Sequence, residues 1–189
     1  MAAFALHLLR HGAPEGAGRL IGRTNALPTA AGITACLAQA GDLAVEAVIC
    51  SDLSRAQHPA EVIAARLALP VTLDPRWSEL DFGAWDGVST DVIDPAALGR
   101  FWADPDAAPP PQGERWSALV ARVASAIAAL PARDTLVVTH GGAMRAALAH
   151  LCGFGQRELW AFDLPYAALL SLRVWPGAPP SAQIAALYP

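Results

Sequence analysis

The apolar residues of this chain form short continuous runs that alternate with longer segments of helical period. The continuous runs predict buried strands at residues 4–9, 44–50, 71–73, 136–139, 168–175 and 183–188. The helical periods predict helices at residues 30–39, 54–69, 116–130 and 143–151. Strands that alternate with helices in this way are typical of an α/β fold, so we expect a three-layer α/β/α sandwich around a mostly parallel sheet.

Turn-forming residues separate these elements. Thr29 is a candidate helix cap, Gly41 closes the first predicted helix and Pro70 stops the second. Residues 77–94 show no regular period, and residues 104–113 contain four prolines, which predicts a surface loop. With 189 residues and no obvious linker, we expect a single domain over residues 1–189.

The charge composition excludes several classes of protein. There are 13 basic and 17 acidic side chains, a net charge of −4 that argues against binding to nucleic acid. All the basic residues are arginine, and the complete absence of lysine excludes a Walker phosphate loop, a Schiff-base enzyme and a Ser–Lys hydrolase.

The spacing of the cysteines and the hydropathy of the chain indicate its cellular compartment. Cys36, Cys50 and Cys152 are widely separated, which indicates reduced thiols rather than a disulfide framework. No apolar run reaches the roughly 20 residues of a membrane helix, and the first residues lack the basic region of a signal peptide. We therefore expect a cytoplasmic protein that does not bind membranes.

Side chains suited to phosphate chemistry follow three of the predicted strands. Arg10 and His11 end the first strand, Arg55 lies just beyond the second, and His140 ends the strand at residues 136–139. Because the carboxyl ends of parallel strands meet at one edge of a sheet, these residues can form one site. Arginine binds phosphate oxygens bidentately, and a neutral imidazole, of His11 or of His140, can attack phosphorus.

Two further features fit this chemistry. Glu79 lies near Trp77, Phe82 and Trp85, an apolar setting that favours a protonated carboxyl able to act as proton donor. Gly141 and Gly142 follow His140 at a predicted helix start, where backbone amides can approach an anion. None of these groups requires a metal or another cofactor.

Two alternative sites fail on spacing. His7 and His11 are separated like zinc ligands on a helix, but on a strand four residues span roughly 13 Å, too far for one metal. The pairs Cys50–Arg55 and Cys152–Arg157 are one residue too close for a cysteine-phosphatase loop. Both spacings therefore argue against these sites.

Five segments in order carry a family resemblance: Leu8-Leu9-Arg10-His11-Gly12, Gly22-Arg23-Thr24-Asn25, Ser51-Asp52-Leu53-Ser54-Arg55-Ala56, the stretch from Glu79 to Gly87, and Val137-Val138-Thr139-His140-Gly141-Gly142. Together they resemble the histidine phosphatase superfamily, the phosphoglycerate mutase-like proteins. The resemblance implies the phosphoglycerate mutase-like fold and a metal-independent phosphatase acting through a phosphohistidine.

The resemblance also implies a role for each residue. His11 would be the nucleophile, and Arg10, Arg55 and His140 would bind and neutralise the phosphoryl group. Glu79 would protonate the leaving oxygen and then activate water. Gly22 and Gly141 would contribute to the phosphate-binding loops.

Within the family, the segments Trp77–Gly87, Trp102–Asp106 and Pro109–Glu114 resemble those of the α-ribazole phosphatases of cobalamin biosynthesis, which implies α-ribazole 5′-phosphate as a substrate. A phosphoglycerate mutase, a sugar-phosphate phosphatase and a non-catalytic phosphoester-binding module remain alternatives. The expected partner is a small phosphorylated metabolite, and the chain is expected to be a monomer or a homodimer. Five departures from the family pattern affect the predicted substrate loops at residues 12–28 and 102–116 and the helix after Arg55: Ala13-Pro14, Ala17, Asn25, Pro59 and Arg115.

Overall fold

In a computed structural model, residues 2–189 are described, and they form one six-stranded sheet in the order β3-β2-β4-β1-β5-β6. The strands are β1 (Phe4–Arg10), β2 (Ala47–Cys50), β3 (Val71–Leu73), β4 (Thr135–Thr139), β5 (Leu169–Trp175) and β6 (Ser181–Tyr188). Strands β3, β2, β4 and β1 pair in parallel, whereas β5 is antiparallel to both of its neighbours. All strands except β5 therefore run in the same direction, which confirms the predicted mostly parallel sheet.

Helices cover both faces of this sheet. They are α1 (Ala30–Ala40), α2 (Ser54–Leu67), α3 (Pro95–Ala103), α4 (Trp116–Ala128), α5 (Gly141–Cys152) and α6 (Gln156–Leu159). Successive residues of a strand point to opposite faces, and in β4 Leu136 and Val138 pack with α1 and α2 while Val137 packs with α4 and α5. The two hydrophobic clusters, one on each face, make the three-layer α/β/α sandwich that the sequence predicts.

Several boundaries differ from the predicted ones. Helix α2 ends at Leu67 because Ala68 adopts a left-handed conformation with φ of 55°, two residues before the expected end at residue 69. Strand β2 begins at Ala47 rather than at residue 44. Helix α5 begins at Gly141 rather than at the predicted residue 143, so Gly141 and Gly142 form its first turn.

Helix α3 was not predicted. The Asp94 side chain accepts hydrogen bonds from the N–H groups of Ala96 and Ala97, and Pro95 occupies the first helical position. This Asp-Pro start is a recognisable helix signal that the apolar period alone does not reveal. Among residues 2–189, no helix has the length and apolar character needed to cross a membrane.

Candidate active site

The two histidines of the candidate site follow neighbouring strands. Arg10 of β1 is in register with Thr139 of β4, and the His11 N–H donates to the Thr139 carbonyl at 2.8 Å. The ring centroids of His11 and His140 are consequently only 5.0 Å apart, edge to face. Strand β2 pairs with the other side of β4, which brings Ser51 to the same edge of the sheet.

The hydrogen bond of His11 leaves one ring nitrogen available as a nucleophile. Nδ1 lies 2.7 Å from the Gly12 carbonyl oxygen, which can only accept, so Nδ1 carries the proton and Nε2 carries the lone pair. Burial, followed by the positive charges of Arg55 and Arg10, lowers the pKa of His11 to about 3. His11 is therefore a neutral imidazole at pH 7, the form able to attack phosphorus.

His140 differs from His11 in that its free ring nitrogen can donate a hydrogen bond. Its Nε2 is 2.7 Å from the Ser51 hydroxyl, which also accepts a hydrogen bond from the Leu53 N–H at 3.4 Å. With Ser51 as the donor to Nε2, the ring proton of neutral His140 lies on Nδ1, which is buried with no partner among the described residues. Burial, the first cause, and the neighbouring positive groups hold the pKa of His140 well below its usual value.

Arg10 reaches across the carboxyl edge of the sheet. Its Nη1 donates to the Leu164 carbonyl at 2.6 Å, and its guanidinium lies over the Tyr166 ring at 4.3 Å. Its Nε is buried and unpaired within the described part of the chain. Arg10 and Tyr166 both line the cavity described below.

Arg55 is fully buried beneath the loop at residues 21–24. Its Nη1 donates to the Thr24 carbonyl at 2.8 Å, and its Nη2 donates to those of Gly22 at 2.7 Å and Ile21 at 3.1 Å. Only Nε has no partner within residues 2–189. The side chain thus fixes the loop, and it places a positive charge close enough to lower the pKa of His11.

Gly22 takes a different position from the one expected of a phosphate ligand. Its N–H donates to the Asp86 carboxylate at 2.8 Å, its carbonyl accepts from Arg55, and it does not line the cavity. A Cβ at this position would overlap the Leu80 carbonyl. The geometry therefore does not favour the predicted phosphate contact for Gly22, and the glycine instead permits close packing of the loop that Arg55 holds.

Glu79 is held at the start of α5. Its Oε1 accepts from the Leu80 N–H at 2.8 Å, and its Oε2 accepts from the Gly142 N–H at 3.1 Å. A Cβ on residue 142 would collide with this carboxylate, so Gly142 is what allows the approach. Both oxygens therefore accept a hydrogen bond from a backbone N–H group, contacts that the aromatic surroundings in the sequence did not indicate.

Arg122 of α4 fixes the backbone of the Glu79 segment. Its Nη1 donates to the carbonyls of Arg76 at 2.8 Å and Ser78 at 3.0 Å, and its Nη2 to that of Glu79 at 3.2 Å. An ion pair of 2.8 Å with Glu114, itself largely buried, orients the guanidinium. Sequence reasoning placed Arg122 on the polar side of a helix and did not identify this contact.

Four of the predicted site residues line one cavity of about 310 Å³. Arg10, His11, Glu79 and Gly141 line it directly, while Arg55 and His140 are buried behind them. Its outer part is lined mainly by apolar and aromatic side chains, among them Phe82, Phe101, Trp102, Trp116 and Trp160.

Arg145 is a cavity residue that sequence reasoning missed. A Cβ on Gly141 would lie 3.4 Å from Arg145 Nη1 and 3.5 Å from Arg10 Nε, so both guanidiniums adjoin Gly141. The Nε of Arg145 is buried without a partner in the described chain. A signal was present, because residues four apart on a helix share a face and Arg145 is four residues after Gly141.

The departures from the family pattern have local explanations in two cases. Asn25 accepts a hydrogen bond from the Ser54 N–H at 2.7 Å and so satisfies the start of α2. Arg115 donates to the Asp106 carbonyl at 2.6 Å within the loop before α4. Pro14 lines the cavity, Pro59 is buried inside α2, and Ala17 does not reach the cavity.

Metal ligands are sparse in this site. Within residues 2–189, His, Cys, Asp and Glu side chains form no group of three or more that could hold a metal ion. The charged groups that face His11 are guanidiniums, which suit the binding of an oxyanion.

A family model matches residues 6–185, and the family is the histidine phosphatase superfamily (branch 1). Since this match spans nearly the whole chain, the protein belongs to that superfamily. Three features of the structure are consistent with this assignment: the strand order, the parallel pairing and the two adjacent histidines.

Among named relatives, the chain is 33% identical over 125 residues to an adenosylcobalamin/alpha-ribazole phosphatase of Escherichia coli (strain K12), which covers 61% of this chain. The matched stretch spans only 60% of that relative's length.

Two solved structures are similar over almost their full length. A mycobacterial glucosyl-3-phosphoglycerate phosphatase has a TM-score of 0.87 and 26% identity, covering 97% of this chain and 98% of its own. The alpha-ribazole phosphatase from Shigella flexneri has a TM-score of 0.80 and 26% identity, covering 96% of this chain and 95% of its own.

Proposed function

We propose that this protein is a metal-independent phosphatase that hydrolyses a small phosphate monoester through a phosphohistidine on His11. The observation that carries the proposal is a set of buried donors without partners in the described chain: Nε of Arg10, Nε of Arg55 and Nδ1 of His140. An unpaired buried donor costs about 1–3 kcal/mol. Three such donors lie on residues beside the neutral imidazole of His11. Together they favour the binding of an oxyanion such as a phosphoryl group.

The reaction would proceed in two steps. In the first, the Nε2 lone pair of His11 attacks phosphorus, the P–O bond to the alcohol breaks, and Glu79 gives a proton to the leaving oxygen. In the second, the ionised Glu79 takes a proton from water, whose oxygen attacks phosphorus and breaks the P–N bond. Inorganic phosphate leaves, and both His11 and Glu79 regain their starting states.

The two arginines and His140 would stabilise the negative charge that develops on the phosphoryl oxygens during both steps. Phosphoryl transfer depends mainly on positioning and electrostatic stabilisation, because the three equatorial oxygens carry the charge. Arg10, Arg55 and His140 provide fixed donors for these oxygens without reorganisation. The neutral state of His11 supports its role as nucleophile, because a protonated imidazole has no lone pair at Nε2.

We propose α-ribazole 5′-phosphate as the substrate. Its support is the relationship to proteins named alpha-ribazole phosphatase in Escherichia coli and Shigella flexneri. The apolar outer part of the cavity also suits an alcohol that carries an aromatic base.

A sugar-phosphate phosphatase is the second candidate. The fold similarity to the mycobacterial glucosyl-3-phosphoglycerate phosphatase, with a TM-score of 0.87, favours it. Arg19 and Arg145 line the same cavity and offer positive charge to a carboxylated sugar ester.

The test is phosphate release from a panel of monoesters in the presence of EDTA, comparing wild type with His11→Asn. The panel contains p-nitrophenyl phosphate, α-ribazole 5′-phosphate, glucosyl-3-phosphoglycerate and 3-phosphoglycerate. We expect hydrolysis that EDTA does not reduce, the highest kcat/KM for α-ribazole 5′-phosphate, and a loss of at least about 10³-fold in His11→Asn.

Three outcomes would contradict parts of the proposal. Full turnover by His11→Asn would refute the nucleophile, and loss of activity in EDTA would refute the metal-independent mechanism. A highest kcat/KM for glucosyl-3-phosphoglycerate would replace the first substrate by the second candidate.

A further inference from the structure

Two tryptophans lie at the mouth of the cavity and contact each other there. Trp102 lies near the end of α3 and Trp160 directly follows α6, and their rings meet edge to face at 5.3 Å. They remain 40% and 49% exposed, whereas Trp77 is completely buried in the core. A residue that only packs the core does not keep half of a large apolar ring in contact with water.

These rings are connected to the proposed phosphate site through one side chain. The Arg145 guanidinium lies over the Trp160 ring at 4.7 Å, and its Nη1 adjoins Gly141 on the side where Arg10 approaches. Arg145 therefore contacts the aromatic mouth at one end and adjoins the residues of the proposed phosphate site at the other.

We propose that Trp102 and Trp160 bind a flat aromatic ring carried by the leaving alcohol, and so select aromatic riboside 5′-phosphates over simple sugar phosphates. This inference rests on the proposed phosphatase function and adds the residues that determine its substrate class. Aromatic rings bind tryptophan by offset or edge-to-face stacking, and a base that stacks on one aromatic side chain gains about tenfold or more in affinity. Trp116, which also lines the cavity, extends the apolar wall.

The two tryptophans come from different segments of the chain, which contact each other at the cavity mouth. Besides their ring contact, Gln156 of α6 donates to the Trp102 carbonyl at 3.4 Å, at the long limit of a hydrogen bond.

The experiment compares two esters that contain the same scissile bond. Methyl ribofuranoside 5′-phosphate and benzimidazolyl ribofuranoside 5′-phosphate both release a primary 5′-alcohol, so the ratio of their kcat/KM values reports the contribution of the aromatic ring. We expect wild type to prefer the benzimidazolyl ester by at least about tenfold. In Trp102→Ala and Trp160→Ala the ratio should fall toward one, with partial recovery in Trp160→Phe.

Trp175→Ala is the matched control, because Trp175 is also a partly exposed tryptophan, at 37%, but lies on β5 and does not line the cavity. The control should keep the wild-type ratio. A ratio near one in wild type, or equal losses for both esters in the Trp102 and Trp160 variants, would overturn the inference.

If neither ester is hydrolysed, the proposed function fails separately. Calorimetric binding of the same two esters to wild type, Trp160→Ala and Trp175→Ala then decides the inference. Equal affinity of wild type for both would refute it, and a preference lost only in Trp160→Ala would support it.

Discussion

His11 and His140 are buried imidazoles whose rings meet at 5.0 Å between arginine side chains. Each has one nitrogen engaged by a neighbour, His11 by the Gly12 carbonyl and His140 by the Ser51 hydroxyl. Burial keeps both neutral, but their hydrogen bonds orient them for opposite tasks. The remaining nitrogen of His11 offers a lone pair, and that of His140 offers a proton.

This neutrality predicts a specific loss of stability in acid. The native pKa of His11 is about 3, below its value of 6.5 in the unfolded chain, so between these pH values only the unfolded state takes up the proton. His11 should therefore lower the free energy of unfolding by about 2 kcal/mol as the pH falls from 7.5 to 5.0. Urea denaturation of wild type and His11→Asn at both pH values, in buffers without phosphate, measures this contribution.

The His11→Asn variant should lose about 2 kcal/mol less than wild type over this interval. Groups that titrate in both proteins cancel in the comparison. An identical pH dependence of the two proteins would show that His11 is not held neutral in the native state.

At the scale of single residues, side chains that directly follow a strand were predictable. Arg10, His11 and His140 lie at the edge of the sheet because parallel strands end together there. Arg145 was not predicted: its spacing from Gly141 was a usable signal, but its contact with Trp160 exists only in the folded chain. For Gly22 the loop was recognised, but the direction of its N–H toward Asp86 was not.

At the scale of elements, helices α4 and α5 both hold the Glu79 segment. Arg122 of α4 binds three backbone carbonyls of that segment, those of Arg76, Ser78 and Glu79, while α5 binds the Glu79 carboxylate through the Gly142 N–H. The position of the proposed proton donor is therefore fixed by two helices together with the neighbouring Leu80 N–H.

Removing Arg122 should impair the proton-donor step more than phosphate binding. In Arg122→Met we expect kcat/KM for an alkyl ester such as methyl ribofuranoside 5′-phosphate to fall at least about tenfold. The kcat/KM for p-nitrophenyl phosphate should change much less, because p-nitrophenolate leaves without protonation. Steady-state kinetics with both esters measures the difference.

The matched control is Arg66→Met, which removes an arginine from an exposed ion pair with Asp42 and should leave both values unchanged. Equal losses for the two esters in Arg122→Met would contradict a specific effect on Glu79. We also expect Arg122→Met to lower the free energy of unfolding by about 2 kcal/mol, because its carbonyl partners lose a charged donor.

The predicted elements were most accurate where the apolar pattern is continuous. Strands β1 and β4 and helix α1 match within about one residue, since their periodicity reflects burial on the sheet or against it. Helix α3 was missed because it is short and its start depends on the Asp94 cap and Pro95. Long-range contacts such as those of Arg122 leave no trace in local periodicity.

At the scale of the whole molecule, the strand order β2-β4-β1 creates the site. It places residues from three distant parts of the chain, Ser51, His140 and His11, side by side at one edge. Fold class and family follow from the pattern and the matched segments, whereas the aromatic mouth arises from α3 and α6, which the pattern did not predict.

The central claim is that His11 carries the phosphoryl group during turnover, and trapping that intermediate tests it most directly. Glu79→Gln should still be phosphorylated by p-nitrophenyl phosphate, which needs no proton donor, but should activate water poorly and so accumulate the phosphoenzyme. After a rapid quench in base, mass spectrometry should find close to one phosphoryl group per chain, on His11. Phosphorylation at another residue, or turnover without any labelled His11, would contradict the account.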